Sequence, residues 1–529
     1  MPIKPLSSIE NGWKQPVSRR RFLTKAAVAG AVLVARPWRS LWAAGDGAPA
    51  VITKRLPSLK FCGAAQFVSG TQHLLDTGKF RIVMDCGLFM EPENEKLNGK
   101  FTYDPKDIDL VILSHGHADH VGNLHQLIRQ GFDGKIVTTD ATRDIFDVVS
   151  GSIRNISESS GDRRGPSKDD LEKITERFFP VPYNTKAHLG GGLVLRYTDA
   201  GHMLGSTFIE LWFEDTKLVF TGDMGPKDAP VLCQPSVLRR ADYVMIESTY
   251  GGVTRKKEDW TELGTHINDA VNGGGSVLIP VFAAEKLQRL IYRIGQLKSS
   301  GVLPKDLRVI SDSTSGNLIT DVYRKYADYF DTTARSSERP FNFPGLIEMG
   351  SKDSLSTHGQ PGIVYLTTSA MFDHAASPRH LAAMCENPKN TLIFVGYQSP
   401  HTLGGKIYAG DRRVTIRIED MSGKVETPTK DIKMRIEKMS GFSGHADGAQ
   451  LVEWMGNFGQ LKQAFVVHGE KSRAQLQARQ ITEKYGFPAS APALYDVAML
   501  DKSESVARKT EKAPEEQFGE AQGYDKQDY

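Results

Sequence analysis

Potential metal ligands are concentrated in one short segment of the sequence, HGHADH at 115–120. Three histidines and an aspartate stand within six residues, directly after an apolar run at 109–114 that is typical of a buried strand. A loop at the end of a strand directs such side chains toward one point, and zinc prefers imidazole and carboxylate ligands. A solvated loop does not explain so ordered a cluster. The segment predicts four metal ligands: His115, His117, Asp119 and His120.

Three later turns each add one residue of the same type. His202 stands in a glycine-flanked turn, GHMLGS, before a strand. Asp223 follows a strand in TGD, and His468 follows the last strand in VVHGE. Any one of these residues alone is more often structural than a ligand. Together with the segment at 115–120, they complete a ligand set for two metal ions.

Two patterns of secondary structure surround these residues. Strands separated by turns fill the first part of the chain, with a helix near 120–129 and a polar break at 163–167. From about residue 251 helices and strands alternate, which is typical of a parallel sheet with crossover helices. The chain as a whole therefore predicts an α/β fold. We expect the strands of the first part at 80–85, 109–114, 193–198, 207–213, 217–221 and 243–247.

The elements after residue 251 are expected from the same patterns of apolar residues. We expect helices at 259–271, 283–297, 317–329, 378–386, 447–458 and 471–485. We expect strands at 276–280, 307–311, 362–367, 391–395 and 463–467. The tail at 503–529 is charged and poor in apolar residues, so we expect it to be disordered.

The N-terminus has the features of a targeting segment. Residues 18–25, SRRRFLTK, resemble the twin-arginine export motif of bacteria, and an apolar run follows at 26–35. That run is too short to span a bilayer as a helix. We therefore expect residues 1–45 to be a twin-arginine signal peptide, with the twin-arginine export machinery as a partner and a periplasmic or extracellular location. A basic amphipathic arm is the alternative.

The composition limits the other possibilities. The chain has 529 residues, which is too long for one typical domain. Its formal net charge of +3 does not imply a large basic face, although a local cleft could still be basic. Its four cysteines form no CxxC pair, which argues against a disulfide framework and against a thiolate zinc finger.

The turns that carry the metal ligands resemble the signature motifs of the metallo-β-lactamase superfamily. These motifs are HxHxDH at 115–120, GHMLGS at 201–206, TGD at 221–223 and VVHGE at 466–470. The resemblance implies an αβ/βα sandwich that binds two zinc ions per chain. It also implies that Asp85, in MDCGL, orients a ligand histidine. It implies two ligand groups that share Asp223 as a bridge: His115, His117 and His202 for one ion, and Asp119, His120 and His468 for the other.

Further segments resemble the β-CASP family, whose members are nucleases that process RNA and DNA. DYVMIESTYG at 242–251 and MSGFSGHAD at 439–447 resemble its motifs A and B, and His468 stands at the motif C histidine. The resemblance implies a β-CASP α/β domain inserted at 251–404 into a metallo-β-lactamase domain that comprises 58–250 and 405–502. Shorter matches are IPVFAAEKLQ at 279–288, TSAM at 368–371, GYQ at 396–398 and TLG at 402–404.

The same resemblance assigns roles beside the metal site. It implies that His445 is a general acid or a ligand of the scissile phosphate, that Glu247 keeps it protonated, and that Asp223 orients the attacking hydroxide. Lys286 stands where the family usually has arginine, and lysine offers phosphate a point charge rather than a bidentate fork. The residues that the resemblance implies to be in contact with substrate are Lys286, Ser443, Gly396, Thr402 and Gly404.

These features predict a metal-dependent hydrolase that cleaves phosphodiester bonds of RNA or single-stranded DNA with a hydroxide activated by two zinc ions. The alternative is an exported hydrolase of a small phosphodiester, lactone or β-lactam on the same scaffold. A non-catalytic binding protein is disfavoured because the ligand set is intact. The sequence does not decide whether the substrate is RNA or DNA, or whether the enzyme is an endonuclease or an exonuclease. It also does not decide whether the metal is zinc, manganese or iron. The oligomeric state stays open too, with a homodimer among the alternatives.

Overall fold

The computed structural model describes residues 56–337, 339–350, 355–358, 360–419, 424–500 and 506–507. The expected signal peptide at 1–45 lies outside these residues, and so does the expected tail at 503–529 apart from Val506–Ala507. Those two residues form a short strand that pairs with Gln460–Leu461. Within the described ranges, no helix is both long enough and apolar enough to cross a membrane.

The first sheet has seven strands and mixes two kinds of pairing. Its antiparallel part contains a hairpin in which His73–Asp76 pairs with Arg81–Met84. Its parallel part continues to Leu110–Ile112, the strand that precedes the HGHADH segment. In spatial order the strands are Val497–Met499, Ser58–Phe61, His73–Asp76, Arg81–Met84, Leu110–Ile112, Lys135–Thr138 and Phe178–Pro180.

The second sheet also has seven strands. Tyr243–Glu247 lies between Thr216–Phe220 and Gln463–Val467 and is parallel to both. The carboxyl ends of these three strands therefore meet at one edge of the sheet. In spatial order the strands are Ala489–Ser490, Gln463–Val467, Tyr243–Glu247, Thr216–Phe220, Thr207–Phe213, Leu193–Asp199 and Lys186–Gly190.

The two sheets pack face to face because successive side chains of a strand point to opposite faces. Ile82 of the first sheet and Leu218 of the second belong to one buried cluster between the sheets. Val83 instead joins a cluster on the outer face of the first sheet. Helices cover both outer faces, so the αβ/βα sandwich predicted from the sequence is confirmed. These helices are Leu124–Arg129, Asp140–Ser160, Lys168–Thr175, Gly448–Met455 and Lys471–Tyr485.

The third sheet has six strands, all paired in parallel, with helices on both faces. This is the inserted α/β domain that the alternation after residue 251 predicts. In spatial order the strands are Leu346–Met349, Arg308–Asp312, Ile363–Thr367, Val277–Pro280, Thr391–Phe394 and Arg435–Lys438. The helices that pack on it are Trp260–Asn272, Lys286–Ser299, Thr314–Lys325, Ser377–Met384 and Leu403–Ala409.

The third sheet extends beyond residue 404, where the sequence places the end of the insertion. Arg435–Lys438 pairs in parallel with Thr391–Phe394 at the edge of this sheet. Arg435 and Lys438 are exposed, so the strand lacks the apolar pattern that marks a buried strand. A hairpin of Arg413–Thr415 with Thr429–Asp431 precedes it.

Most expected elements are present, with bounds that shift by a few residues. The helix expected at 120–129 is two helices, Ala118–Val121 and Leu124–Arg129, separated by Gly122 and Asn123. The helix expected at 317–329 begins earlier, at Thr314, because the Ser313 hydroxyl caps it. The remaining short elements are Glu95–Leu97, Pro105–Asp107, Ala327–Tyr329, Thr332–Ser336, Leu355–Thr357, Ile418–Glu419 and Val425–Glu426.

Candidate active site

Strand ends and the turns beside them bring the predicted metal ligands together at one edge of the sandwich. The segment at 115–120 follows Leu110–Ile112 of the first sheet. Asp223 follows Thr216–Phe220 and His468 follows Gln463–Val467, two strands of the second sheet. His202 lies in the turn before Thr207–Phe213. Residues far apart in sequence therefore meet because parallel strands end at the same edge.

The first group of converging side chains is His115, His117, His202 and Asp223. The His117 Nδ1 atom lies 3.2 Å from His115 Nε2 and 3.0 Å from His202 Nε2. The Asp223 Oδ2 atom lies 3.4 Å from His115 Nε2 and 3.5 Å from His202 Nε2. Three imidazole nitrogens and one carboxylate oxygen thus face a common point.

The second group is Asp119, His120 and His468, and the other oxygen of Asp223 faces it. The Nε2 atoms of His120 and His468 are 3.1 Å apart. Asp223 Oδ1 lies 3.3 Å from His120 Nε2 and 3.5 Å from His468 Nε2. Asp119 Oδ2 lies 3.5 Å from His468 Nε2. Asp223 therefore directs one carboxylate oxygen to each group.

The two groups fit a pair of metal ions. Asp223 Oδ1 is buried and accepts no well-aligned hydrogen bond from any residue that the structure describes, which is costly without a further partner. Burial lowers the pKa of His115 and His202 well below the ordinary value, so both imidazoles are neutral, the form that binds metal. Imidazole with carboxylate is a donor set that suits zinc.

Each of four histidines has its second ring nitrogen fixed by a neighbour. His115 Nδ1 donates to Ser114 Oγ at 3.0 Å, and His202 Nδ1 donates to the Gly444 carbonyl at 2.8 Å. His468 Nδ1 donates to Thr249 Oγ1 at 3.1 Å. Hydrogen bonds of this kind set the tautomer and leave Nε2 free to face the metal. The fourth histidine is His120.

Asp85 fixes His120 and the loop that carries it. Its Oδ2 atom accepts a hydrogen bond from His120 Nδ1 at 2.7 Å. It also accepts from the Ser114 hydroxyl at 2.7 Å, while Oδ1 accepts from the Ser114 backbone amide at 2.7 Å. Asp85 is fully buried and lies in the left-handed region with φ +57°. The geometry matches the orienting role that the sequence predicts for it.

His445 and Glu247 form a pair beside the metal groups. His445 Nδ1 donates to Glu247 Oε1 at 3.1 Å and lies 3.9 Å from Asp223 Oδ2. The buried Glu247 carboxylate also accepts from the backbone amides of Met224 and Thr249. Burial lowers the pKa of His445, but the carboxylates of Glu247 and Asp223 outweigh burial and raise it above the ordinary value. With 21% of its side chain exposed, His445 is accessible to solvent, and the neighbouring carboxylates favour its protonated form.

The residues predicted to contact substrate are not brought together in the same way. Lys286 is buried, and its Nζ atom makes no hydrogen bond to any described residue and lies 4.0 Å from Glu285 Oε2. Burial lowers its pKa to about 8. The Ser443 hydroxyl accepts from the His445 backbone amide at 3.1 Å.

The other three predicted contacts lie in the inserted domain. The Thr402 hydroxyl caps the helix Leu403–Ala409 by accepting from the Gly405 amide at 3.1 Å. A Cβ atom on Gly404 would lie 2.0 Å from Gln398 Oε1 and 3.1 Å from Met371 Cα, so a larger residue there would require the Gln398 side chain to move. A Cβ atom on Gly396 would have no described atom within 4 Å, so this position is open.

Sequence reasoning missed three partners of the ligand histidines. Ser114 adjoins the HGHADH segment, and Thr249 lies inside the motif that contains Glu247, so both had a positional signal. The third partner is a backbone carbonyl, that of Gly444. Every residue has a backbone carbonyl, so the residue type at position 444 does not predict this contact, and the fold is needed to identify it.

Three protein families match successive parts of the chain. The Metallo-beta-lactamase superfamily matches residues 66–264, and the Beta-Casp domain matches residues 287–407. The Zn-dependent metallo-hydrolase RNA specificity domain matches residues 429–492. The three matches follow the chain in the order expected for a sandwich interrupted by an inserted domain.

Curated relatives match over most of the chain. Ribonuclease TTHA0252 of Thermus thermophilus is 31% identical over 419 residues, which covers 78% of this chain and 93% of the relative. Transcription termination factor FttA of Methanococcus maripaludis is 27% identical over 433 residues, which covers 78% of this chain and 67% of that factor. The first of these is similar enough, and covered fully enough, to show common family membership.

A solved structure shares the fold. A protein of unknown function from Enterococcus faecalis superposes with a TM-score of 0.52 at 12% identity, covering 84% of this chain and 100% of that one. Likeness at this identity supports the architecture alone. The matched domains and the relatives together place the sequence in one family. The chain belongs to the β-CASP family of the metallo-β-lactamase superfamily, and it is a hydrolase.

Proposed function

We propose that this chain is a ribonuclease that hydrolyses phosphodiester bonds of RNA at a site for two zinc ions. One observation carries the proposal: Asp223 directs one oxygen to each of two ligand groups, and His445, hydrogen-bonded to Glu247, lies beside it. The match to an RNA specificity domain and the similarity to a ribonuclease of Thermus thermophilus support RNA as the substrate.

The ligand groups would divide between two ions, and Asp223 faces both groups. His115, His117 and His202 would hold one ion, and Asp119, His120 and His468 would hold the other. When bound, zinc would act as a Lewis acid toward the phosphoryl group and would lower the pKa of a water molecule in the site. Histidine-rich donor sets favour zinc over manganese.

His445 is proposed as the general acid for the leaving oxygen. An RNA 3′ or 5′ alkoxide is a poor leaving group and needs a proton as the ester bond breaks. The ring of His445 is held on its Nδ1 side by Glu247, so the Nε2 side is directed away from that carboxylate. Glu247 is in turn fixed by two backbone amides, so the imidazole has one orientation.

Two of the predicted substrate contacts have features that suit a nucleic acid. The Lys286 ammonium group makes no hydrogen bond to any described residue. Lys286 precedes by three residues Arg289, which donates to the Ser443 carbonyl in the loop carrying His445. Gly396 leaves space for a backbone or base to approach. We propose both as substrate contacts, together with Ser443, Thr402 and Gly404.

We also propose that the chain is exported through the twin-arginine pathway, on the strength of residues 18–35 alone. The test is fractionation of a bacterial host that expresses the full chain and a variant with Arg19→Lys and Arg20→Lys. We expect the full chain to reach the periplasm in shortened form and the variant to remain inside the cell at full length. A native chain that stays inside uncleaved would contradict export.

The function is tested with purified protein of known metal content. End-labelled RNA, end-labelled single-stranded DNA, bis(p-nitrophenyl) phosphate and a β-lactam are offered in parallel to the native chain and to His445→Ala. We expect cleavage of RNA that His445→Ala loses while it keeps its metal. Product lengths would separate endonuclease from exonuclease action.

Other outcomes of that panel would redirect the proposal. Preferential cleavage of DNA would retain the chemistry and change the substrate. Turnover of the β-lactam or of small diesters only would mean that the site serves a small ester. Unchanged cleavage of RNA by His445→Ala would remove its role as the acid.

A further inference from the structure

Three consecutive backbone carbonyls of the loop that carries His445 are each held by a different part of the molecule. The Ser443 carbonyl accepts from Arg289 Nη1 at 2.7 Å. The Gly444 carbonyl accepts from the ligand histidine His202 at 2.8 Å. The His445 carbonyl accepts from Arg255 Nη2. Every carbonyl of the loop at 443–445 thus accepts a hydrogen bond, and these contacts fix the backbone position from which the His445 side chain extends.

Arg289 reaches this loop from the inserted domain. It lies on the helix Lys286–Ser299, and 4% of its surface is exposed. Its guanidinium donates to Glu285 Oε1 at 2.7 Å and also to Glu258 Oε1. Two carboxylates offset its charge, and its Nη1 and Nη2 atoms both donate to protein groups. Arg289 is therefore suited to hold the loop rather than to bind a substrate phosphate.

Arg255 holds the same loop from the segment that joins the second sheet to the inserted domain. Its backbone amide donates to Asp447 Oδ2 at 3.1 Å, and its guanidinium lies 4.3 Å from the centre of the Tyr250 ring. The guanidinium also donates to the Gly441 carbonyl at 3.5 Å. A stacked, planar guanidinium presents its donors in fixed directions, so the side chain holds the last residue of the loop and also Gly441, two positions before the loop begins.

The space around the loop is filled, so its position depends on these contacts. A Cβ atom on Gly444 would lie 3.1 Å from Glu285 Oε2 and 3.2 Å from His202 Cε1. The Glu285 carboxylate that packs here is the same one that pairs with Arg289. Glu285 and Arg289 both come from the inserted domain, and His202 comes from the sandwich. The loop therefore lies where the two domains meet.

We propose that Arg255 and Arg289, the arginine clamp, are positioning residues that hold the loop at 443–445 so that His445 meets the leaving oxygen. The inserted domain then does more than contact substrate, because through Arg289 it sets the geometry of proton transfer. This inference rests on the proposed function, in which His445 is the general acid.

The test uses two substrates that differ in their need for a general acid. RNA leaves an alkoxide that must be protonated, whereas p-nitrophenolate leaves bis(p-nitrophenyl) phosphate without a proton. For Arg289→Met and Arg255→Met we expect kcat on RNA to fall at least about tenfold, because small misplacements of a catalytic group are costly. We expect an unchanged KM for RNA, unchanged zinc content and turnover of the aryl diester within about twofold of the native chain.

Two further variants sharpen the test. Arg293→Met removes an arginine one turn along the same helix, where it lies over the Trp260 ring and donates to Gln296 Oε1 without touching the loop. We expect Arg293→Met to cleave RNA and the aryl diester at the rates of the native chain. Arg289→Lys keeps a positive charge between the two glutamates and so protects folding, but it lacks the fork. It should also lower RNA cleavage selectively.

The outcomes separate the clamp from the proposed function. Parallel loss of both substrates in the arginine variants, or RNA cleavage that does not change, would overturn the clamp. His445→Ala should show the selective loss of RNA cleavage by itself, and Arg289→Met in that background should cost nothing more. If His445→Ala does not discriminate between the substrates, the general acid assignment fails and the clamp fails with it.

Discussion

The metal-ligand edge of the sandwich and the substrate-facing part of the inserted domain differ in how firmly the fold defines them. At the sandwich edge, His115, His120, His202 and His468 each have a second ring nitrogen fixed by a hydrogen bond. In the inserted domain, the hydroxyl of Thr402 is used to cap its own helix. The fold thus prearranges the metal-ligand edge, whereas Gly396, one of the proposed substrate contacts, lies in open space.

The largest effect is expected at the residue that faces both ligand groups. Asp223→Ala removes both carboxylate oxygens, so RNA cleavage should fall at least about a thousandfold and bound metal should decrease, since metals supply several kcal/mol of transition-state stabilisation. Metal analysis and kinetics measure the two effects. Asp215→Ala, in an exposed turn, is the control. Full metal occupancy in Asp223→Ala would break the assignment of this edge.

A smaller effect on zinc affinity and cleavage is expected at Asp85, which contacts a ligand histidine but does not itself face the metal groups. Asp85→Asn weakens the hydrogen bond that orients His120, so zinc affinity or cleavage should fall about 10–100-fold. Competition with a chelator of known zinc affinity measures the first quantity. Because Ser114 shares the same carboxylate, thermal unfolding of the two proteins should be compared. An affinity equal to that of the native chain would mean that His120 is oriented by other contacts.

The pH dependence tests the pair beside the metals. Glu247 raises the pKa of His445, and cleavage that needs the imidazolium is lost as pH rises through that pKa. Glu247→Gln removes the charge, lowers the pKa of His445 and should move the alkaline limb of the pH–rate profile to lower pH. Profiles of kcat/KM on RNA measure the limb. A limb in the same place would show that another group controls it.

The smallest effect is expected in the inserted domain. Thr402→Ala removes the cap of the helix Leu403–Ala409, so unfolding free energy should fall by about 1 kcal/mol. Thermal or denaturant unfolding measures this loss. Thr402→Ser retains a capping hydroxyl and serves as the control. A rise in KM for RNA in Thr402→Ala beyond that in Thr402→Ser would support the proposed substrate contact, whereas unchanged stability would show that the cap does not stabilise this helix.

The residue pattern predicts a set of ligands for two metal ions, and the resemblance to the metallo-β-lactamase superfamily implies how that set divides into two groups. His115, Asp223 and His468 each follow an apolar run, and the three strands, one in the first sheet and two in the second, end at the same edge of the sandwich. The parallel sheet with crossover helices is predicted by the change to alternating helices and strands after residue 251, whereas the sandwich and the insertion are implied by the resemblance to the metallo-β-lactamase superfamily and the β-CASP family. These features depend on local patterns that are repeated along the chain.

The rest depends on contacts that no local pattern encodes. Arg289 and Arg255 bind carbonyl groups of a loop far along the chain, and any residue type supplies such a carbonyl. Arg435–Lys438 joins the third sheet by backbone pairing, although half of its side chains are exposed. The arginine–carbonyl contacts and the pairing of this strand both depend on position in the fold rather than on residue type.

The central claim is that cleavage of RNA requires both ligand groups at once. The measurement is a zinc titration of metal-free protein with RNA cleavage as the readout. We expect full activity to return only when two zinc ions per chain are bound. Full activity with one ion, or no cleavage of RNA after two have bound, would contradict it.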